Sequence, residues 1–270
     1  MAYPRIRTVT LMALGALWAV PALAQAPDTA TDRPDRLVMI GLGPRVAPSF
    51  PGSTRAAVGV TPVVNVWREN EPLPVETPDE AKGIKLFGLR RTASAGIALA
   101  FAPQRGREAA TEGLDTIGFG MEAGPYVEAY VLPALRLRAE LRQGIGGHGA
   151  LNADLAADLV VRGAGDRTVF TAGPRARFAS AKYNRRFFGI SSAESVASGL
   201  PAYRPGGGLY SLGGVAGAYY PLGGQAGLFG FAAYDRLVNG AERSPLVRQR
   251  GSANQVSAGL ALTWVFRIKR

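Results

Sequence analysis

Residues 135–142 read Leu-Arg-Leu-Arg-Ala-Glu-Leu-Arg, and this stretch decides the fold class. Apolar side chains occupy every second position, and charged side chains occupy the positions between them. Successive side chains of a β-strand point to opposite faces, so a strand here has one apolar and one charged face. A helix would scatter the arginines around its circumference. The segment is therefore predicted to be a strand.

The same alternation recurs in other segments of about ten residues, the length of a tilted strand that crosses a membrane. Residues 121–131, 151–161 and 255–266 each place apolar side chains on one face and polar or charged side chains on the other. Weaker strand candidates are 37–47, 56–67, 84–90, 93–102, 168–180, 207–220 and 224–236. The chain is therefore predicted to consist mainly of strands.

The connections between these segments differ in length. Short turns at 132–134, 163–166 and 221–224 contrast with long polar or irregular connections at 181–206 and 237–254. Short turns on one side and long loops on the other are typical of outer-membrane barrels. The connections therefore favour that class.

The number of strands follows less directly. Eleven segments qualify, whereas a bacterial single-chain barrel has an even number of strands. The sequence therefore predicts about twelve strands, or ten if 84–90 is not a separate strand. The predicted fold class is all-β, a transmembrane antiparallel up-and-down β-barrel over residues 37–266.

The chain starts with the three-part layout of a secretory signal peptide. Arg5 and Arg7 form a basic region, Leu11 to Val20 an apolar stretch, and Ala22-Leu23-Ala24 a cleavage site. The apolar stretch is too short to span about 30 Å of hydrocarbon as a helix. Residues 1–24 are therefore predicted to be a signal peptide, and export makes nucleic acid an unexpected partner.

The two ends of the mature chain are predicted to lie outside the barrel. Residues 25–36 are expected to form an N-terminal periplasmic segment, and 267–270 a basic C-terminal tail. Barrel precursors commonly end on an aromatic residue, whereas here Phe266 is followed by that tail. Because the alternation continues through Ile268, Phe266 is expected to be the outward-facing aromatic of the last strand.

Charged residues of the polar faces alternate in sign from one predicted strand to the next. The set comprises Glu122, Glu128, Arg136, Arg138, Glu140, Arg142, Asp154, Asp158, Arg175 and Arg177. A narrow barrel would bring them together, and charges in a confined lumen need partners because an isolated buried charge is costly. We therefore predict a lumen charge network. The alternative is a soluble periplasmic β-sandwich with a wet charged face.

Aromatic residues near the segment ends favour the barrel over the sandwich. Outer-membrane barrels carry girdles of aromatic side chains at both membrane interfaces. The candidates for these girdles are Phe101, Tyr130, Phe178, Tyr219, Tyr220 and Trp264. The formal net charge of +11 also suits contact with anionic lipid.

The sequence predicts no catalytic, cofactor or metal site. There is no cysteine, and the one histidine, His148, lies between glycines in what is expected to be a flexible connection. A Ser-His arrangement would have to use this histidine. The carboxylates of Asp154, Asp158 and Glu140 have arginine neighbours, which lower carboxyl pKa values rather than prepare a general acid. We therefore expect a protein that is not an enzyme.

Several stretches are similar to the MipA/OmpV family of outer-membrane proteins. The similar stretches are 41–53, 144–149, 183–191, 198–203 and 244–247. Within them, the residues of the long loops that carry the resemblance are Tyr183, Phe187, Phe188, Gly189, Ser244 and Pro245. In this order and at this spacing, the similar stretches extend over nearly all of the mature chain.

The resemblance implies an outer-membrane barrel that acts as a scaffold for peptidoglycan-remodelling enzymes. Two alternatives stay open, a narrow channel for small solutes or antibiotics and a surface adhesin that uses its long basic loops. The loops carry Arg185, Arg186 and the two phenylalanines, and then Arg243, Arg248 and Arg250. Expected partners are outer-membrane lipid, lipopolysaccharide and periplasmic peptidoglycan enzymes.

Overall fold

The computed structural model describes residues 34–269, apart from positions 76, 91 and 164–167. The predicted signal peptide and most of the predicted N-terminal segment lie outside the described residues. The strands are β1 (Arg36–Pro48), β2 (Ala56–Arg68), β3 (Lys82–Arg90), β4 (Ala93–Phe101), β5 (Gly120–Leu132), β6 (Leu135–Gly146), β7 (Leu151–Arg162), β8 (Val169–Ala179), β9 (Gly208–Gly223), β10 (Ala226–Leu237) and β11 (Asn254–Ile268).

Short helical elements occur only in the connections of the described part of the chain. They are α1 (Ala181–Phe188), α2 (Ser192–Ser198), α3 (Asn239–Glu242), a 3-10 turn at Ala109–Thr111 and a π-helical turn at Leu246–Arg250. No helix among the described residues has the length and apolar character needed to cross a membrane.

The all-β antiparallel up-and-down fold is confirmed. One sheet has the order β2-β1-β11-β10-β9-β8-β7-β6-β5-β4-β3, and all its neighbouring strands are antiparallel. The described residues form eleven strands, so neither twelve nor ten strands is correct. Residues 82–90 are a separate strand, as the prediction of twelve rather than ten strands requires.

The odd number has a topological consequence at the two edge strands, β2 and β3. Ten antiparallel pairings connect them through the sheet, so they run in the same direction. The connection between them, residues 69–81, must therefore return along the length of the barrel. Thirteen residues reach about 40 Å when extended, which is enough. We call this segment the inner strap, because its groups bond to side chains of the inner face.

Four arginines of the inner face hold the strap. Arg162 donates to the Leu73 carbonyl at 2.9 Å, and Arg138 to the Ala81 carbonyl at 3.0 Å. Arg175 and Arg136 bond the carboxylates of Asp79 and Glu80. The strap thus makes a twelfth passage through the barrel, inside the lumen rather than in the wall.

The two ends of the barrel differ. One end, the loop end, carries the connections 49–55, 102–119, 147–150, 180–207 and 238–253. The other, the turn end, carries the connections 91–92, 133–134, 163–168 and 224–225, together with the start of β1 and the end of β11. The long connections 102–119, 180–207 and 238–253 therefore all lie at the end opposite the predicted short turns, as the sequence predicts for 181–206 and 237–254.

The outer face is apolar and the inner face is polar over most of the wall. On β6 the arginines and the glutamate are buried, whereas Leu137 and Leu141 are exposed. Large apolar side chains are exposed on all eleven strands, as with Ile40, Val60 and Leu262. Such a surface in water would expose far more apolar area than soluble proteins do, so it suits a lipid surrounding.

The predicted aromatic girdles are partly wrong. Phe101, Tyr220 and Trp264 are exposed on the outer face, but Tyr130 and Tyr219 face the lumen. Strand parity explains this, because Tyr130 shares its face with Glu128. Segment ends alone are a poor guide to which face an aromatic residue occupies.

The last strand is longer than predicted. Arg267 and Ile268 belong to β11, so the predicted basic tail shortens to Lys269 and Arg270, the last of which is outside the described residues. Arg267 pairs with Glu69 at 2.5 Å, next to the end of β2. Phe266 is exposed on the outer face, as expected for an outward aromatic.

Candidate functional site

The ten predicted lumen charges all lie on the inner face, and the structure joins them into one network. Its centre is Arg136, which is 1% exposed. The guanidinium pairs with Glu128 at 2.9 Å on β5 and with Asp158 at 3.0 Å on β7. It also forms two bonds, of 2.8 and 2.9 Å, to Glu80 of the inner strap. Three carboxylates from three elements thus share one arginine.

The next arginines along β6 extend the network towards the loop end. Arg138 pairs with Glu140 at 2.6 Å and stacks over the Tyr126 ring at 4.1 Å. Arg142 pairs with Glu122 at 2.8 Å, with Asp154 at 2.7 Å and with Glu140. Strands β5, β6 and β7 are therefore tied across the lumen face by side chains as well as by ladder hydrogen bonds.

Two arginines of β8 complete the network. Arg175 pairs with Asp79 of the strap at 2.7 Å and with Asp158 at 2.8 Å. Arg177 pairs with Asp79 at 3.2 Å and with Asp235 of β10. The charges therefore surround the strap from β5 to β10.

These pairs are buried, which determines what they do. Removing a charge from water costs several kcal/mol, and close partners offset that cost only when the geometry is good. Losing one partner of such a pair typically destabilises a protein by about 3–5 kcal/mol. The network therefore specifies one arrangement of the strap more than it adds stability.

Sequence reasoning missed Asp79, Glu80 and Asp235. The strap has no period-two alternation and contains three prolines, so it gave no strand pattern. The signal that could have found it was the odd number of strand segments, because an odd count requires one more passage through the barrel. Asp235 lies in a predicted strand at a position whose parity points inward.

His148 is buried and hydrogen-bonded, whereas the sequence predicts a flexible connection at this position. It is 1% exposed, its Nε2 lies 2.9 Å from Glu122, and its Nδ1 accepts a hydrogen bond from the Ala150 backbone at 3.2 Å. The Tyr183 ring meets it edge-on, with 4.9 Å between centroids. These bonds assign the proton to Nε2 and occupy both ring nitrogens.

A compact cap closes the loop end of the barrel. Tyr183, Phe187 and Phe188 of α1 are buried in it, and both phenylalanines are 0% exposed. Their neighbours come from every long loop, and include Ile117, Leu237 and Val247 of the same cluster and Phe50, Leu114, Ile190, Leu200 and Leu246 of the adjoining one. The aromatic residues that suggested a surface grip are therefore unavailable to a ligand.

Polar groups lock the cap. The buried Arg105 donates to the Phe187 carbonyl at 3.1 Å and twice to the Asp115 carbonyl. The Ser244 hydroxyl donates to the Phe188 carbonyl at 2.7 Å, and Pro245 follows it at the start of the π-helical turn. Gly189 ends α1 where a Cβ would lie 2.4 Å from a backbone oxygen. These loop residues thus build the cap.

Apolar side chains also fill the lumen at the turn end. One cluster contains Met39, Val63, Trp67 and Ala261, with Leu73, Tyr219 and Phe229 against it. A second contains Val75, Val160 and Val169, with Leu73 and Tyr130 against it. Leu73 of the strap joins the two clusters, so both ends of the lumen are packed.

A cavity of about 1330 Å³ remains between the two packed ends. It lies against β1, β2 and β9–β11, most of whose inner positions are neutral, such as Gly217, Ser211 and Thr61; Arg45 and Asp235 are the charged exceptions in its lining. The charge network forms its opposite wall. Among the described residues, no group of three or more His, Asp or Glu side chains is arranged to hold a metal ion.

Comparison with solved structures finds barrels of distant sequence. A bacterial polysaccharide outer membrane secretin is 10% identical, with a TM-score of 0.37 over 87% of this chain and 99% of that chain. The CymD monoaromatic hydrocarbon channel is 9% identical, with a TM-score of 0.34 over 87% and 89%. Pseudomonas aeruginosa OccK7 (OpdD) is 10% identical, with a TM-score of 0.24 over 87% and 99%. The fold assignment rests on the strand pairing of this chain itself.

Comparison with protein families is specific. No curated protein matches the sequence. The family described as MltA-interacting protein MipA matches residues 40–266, from Ile40 within β1 to the outward aromatic Phe266 of β11. This match covers β2 to β10, most of β1 and β11, the inner strap and the cap. The chain therefore belongs to the MipA family of outer-membrane β-barrel proteins.

Proposed function

We propose that this barrel is an envelope-organising scaffold that binds peptidoglycan-remodelling enzymes at its periplasmic end. The observation that carries the proposal is the closed lumen. The strap and the charge network occupy one half of it, and both ends are packed with apolar side chains. A barrel whose lumen is filled in this way offers surfaces for protein binding rather than a path for solutes along its axis. The family description names an interaction with the enzyme MltA, which agrees with a scaffold.

The turn end is the proposed docking surface. Short turns of outer-membrane barrels lie on the periplasmic side, where peptidoglycan enzymes work. The exposed side chains of Arg36 and Arg68 lie at this end, and Lys269 follows β11 there, whereas Arg267 pairs with Asp35 and Glu69. A basic surface of this kind attracts an acidic partner and accelerates its binding.

The proposal includes no catalytic role and no cofactor. Both nitrogens of His148 are bonded within the protein, so a nucleophile could not use this histidine as a base without rearrangement. The lumen carboxylates Glu122, Glu140 and Asp158 are buried, and each bonds an arginine of the network. These contacts support a structural role for the network.

The lipid partners are proposed from the surfaces. The apolar outer face suits the hydrocarbon of the outer membrane. At the loop end, Arg243 and Arg248 are exposed, and we assign them to the phosphates of lipopolysaccharide. The buried Phe187 and Phe188 weigh against an adhesin that grips with aromatic residues.

Binding of a purified lytic transglycosylase to the barrel in lipid nanodiscs tests the scaffold. Charge reversal at the turn end, Arg36→Glu with Lys269→Glu, is expected to weaken binding at least tenfold. The matched control reverses two charges at the loop end, Arg243→Glu with Arg248→Glu, and should leave binding unchanged. Absence of binding by the unmodified barrel, or equal losses in both variants, would contradict the proposal.

A further inference from the structure

The wall of the barrel is open on one side. Strands β2 and β3 share no ladder hydrogen bonds in the described residues. The Lys82 side chain crosses between them, from the start of β3 to the Val64 carbonyl and, at 3.2 Å, to Asn65. Towards the loop end, residues 56–63 of β2 therefore have no strand on that side. We call this gap the lateral opening.

The sequence of β2 fits an open edge. The Val64 carbonyl points into the opening, so by strand parity the backbone of Pro62 points there as well. Proline has no N–H to leave unpaired, and within sheets it occurs mainly at edge strands. The opening is therefore supported by the local sequence as well as by the missing ladder.

The lumen cavity continues into this opening. Consecutive residues 57–65 of β2 line it, which includes outward-facing as well as inward-facing side chains. Residues 99–104 and Met121 line it on the opposite side. A cavity that contacts both faces of one strand extends around that strand's edge. The cavity thus communicates with the membrane-facing surface, whereas both axial ends are packed.

The entrance is apolar. Val58 is 80% exposed and Phe101 is 71% exposed, and Val60 and Met121 lie beside them. These side chains lie on the outer, membrane-facing surface near the loop end of the wall. The entrance therefore suits an acyl or aryl chain rather than a free ion.

The interior of the cavity holds a guanidinium nitrogen without a hydrogen-bond partner in the described residues. The buried Arg45 Nε forms no hydrogen bond in the described part of the chain, and neither do the Thr61 and Ser211 hydroxyls of the same cavity. In contrast, each carboxylate that lines the cavity bonds an arginine; these are Asp79, Glu80, Glu122, Asp154 and Asp235. Arg45 forms no ion pair within 4 Å in the described part of the chain, and Asp79, the carboxylate whose charge acts on it, bonds Arg175 and Arg177 instead.

We propose that the lateral opening binds a single-chain amphiphile with an anionic head group, taken from the membrane. The head group bonds Arg45, Thr61 and Ser211, and the chain lies over Val58, Val60 and Phe101. A single guanidinium with an unbonded Nε matches one acidic head group. This site is distinct from the proposed periplasmic docking surface, and its test does not depend on an enzyme partner.

Binding of a fluorescent 18-carbon carboxylic acid to the full barrel in zwitterionic nanodiscs tests the site. The acid is expected to bind about tenfold more tightly than the alcohol of the same length, because a charged hydrogen bond contributes about this much. The Arg45→Gln variant should bind both probes equally. Arg55→Gln is the matched control, because Arg55 is exposed at the loop end and should not change binding.

A second variant blocks the opening without removing charge. A Cβ at Gly59 would meet no atom within 4 Å, so Gly59→Trp fits the backbone and fills the space beside Arg45. Binding of the acid should be lost while the gel mobility of the folded barrel is kept. Equal affinity of acid and alcohol for the unmodified barrel, or unchanged binding in Gly59→Trp, would overturn the proposal. So would displacement by anionic two-chain lipid alone, or a dimer that pairs along β2 and excludes the probe.

Discussion

The two halves of the lumen have the same outer surface and opposite interiors. From β5 to β8, arginines and carboxylates fill the inner positions and hold the strap. On β9–β11, β1 and β2 the inner positions carry residues such as Gly217, Ser211, Ala233 and Thr61, and a cavity remains. Alternation therefore builds the wall in both halves, whereas the size and charge of the inward residues decide what each half can do.

Replacing Arg136 by methionine gives the largest expected difference between the halves. Arg136→Met leaves Glu80, Glu128 and Asp158 without their shared cation, and the free energy of unfolding should fall by about 3–5 kcal/mol. Ser211→Ala in the other half removes a hydroxyl that has no partner, so its effect should stay within about 0.5 kcal/mol. Urea unfolding in lipid vesicles, followed by tryptophan fluorescence, measures both. Equal stabilities of the two variants would contradict the division of the lumen into a charged half that holds the strap and a half that holds the cavity.

Removing the carboxylate of Asp235, which connects the two halves of the lumen, should change the free energy of unfolding less. Asp235→Asn removes one partner of Arg177, which keeps Asp79, so the expected loss of stability is about 1–3 kcal/mol. Glu242→Gln breaks a surface pair with Arg236 and should cost at most about 1 kcal/mol. The same urea titration compares them, and a larger effect for the surface pair would show that Asp235 does not join the halves.

The smallest expected effect is a dependence on pH of the local stability of the cap, which closes both halves of the lumen. Burial alone would raise the pKa of Glu194, but hydrogen bonds from the Ser191 and Asp115 backbones hold the pKa below its usual value. The resulting stability is present above the ordinary carboxyl pKa of about 4.3 and is lost as the pH falls through the lowered value. Amide exchange of residues 192–198, corrected for intrinsic rates, should therefore increase below that range.

Glu194→Gln is the control for this effect. The amide side chain cannot titrate, so exchange in the variant should keep the same corrected rate across the range. A variant with the same pH dependence as the unmodified chain would assign the effect to another group.

The strands were predictable because a half-buried strand repeats with period two. Residues 135–142 show both faces without interruption, and the ten charges that the alternation places inward all lie in the network. Local pattern was sufficient there, because each inward position is set by its neighbours on the same strand.

The strap and the cap were not predictable in the same way. Asp79 and Glu80 follow no period, and their position depends on the direction of two strands at opposite edges of the sheet. Phe187, Phe188 and His148 lie in connections that read as exposed loops, yet long-range packing buries them. Gly144 was a local sign of this, because a Cβ there would lie 2.5 Å from the His148 ring.

Conductance of the purified barrel in planar lipid bilayers tests the central claim, that the strap and the packed ends close the lumen. The unmodified barrel should show no steady open level. Asp79→Asn with Glu80→Gln, which releases the strap from Arg175 and Arg136, should show frequent openings. A steady conductance in the unmodified barrel that these two substitutions leave unchanged would contradict the account.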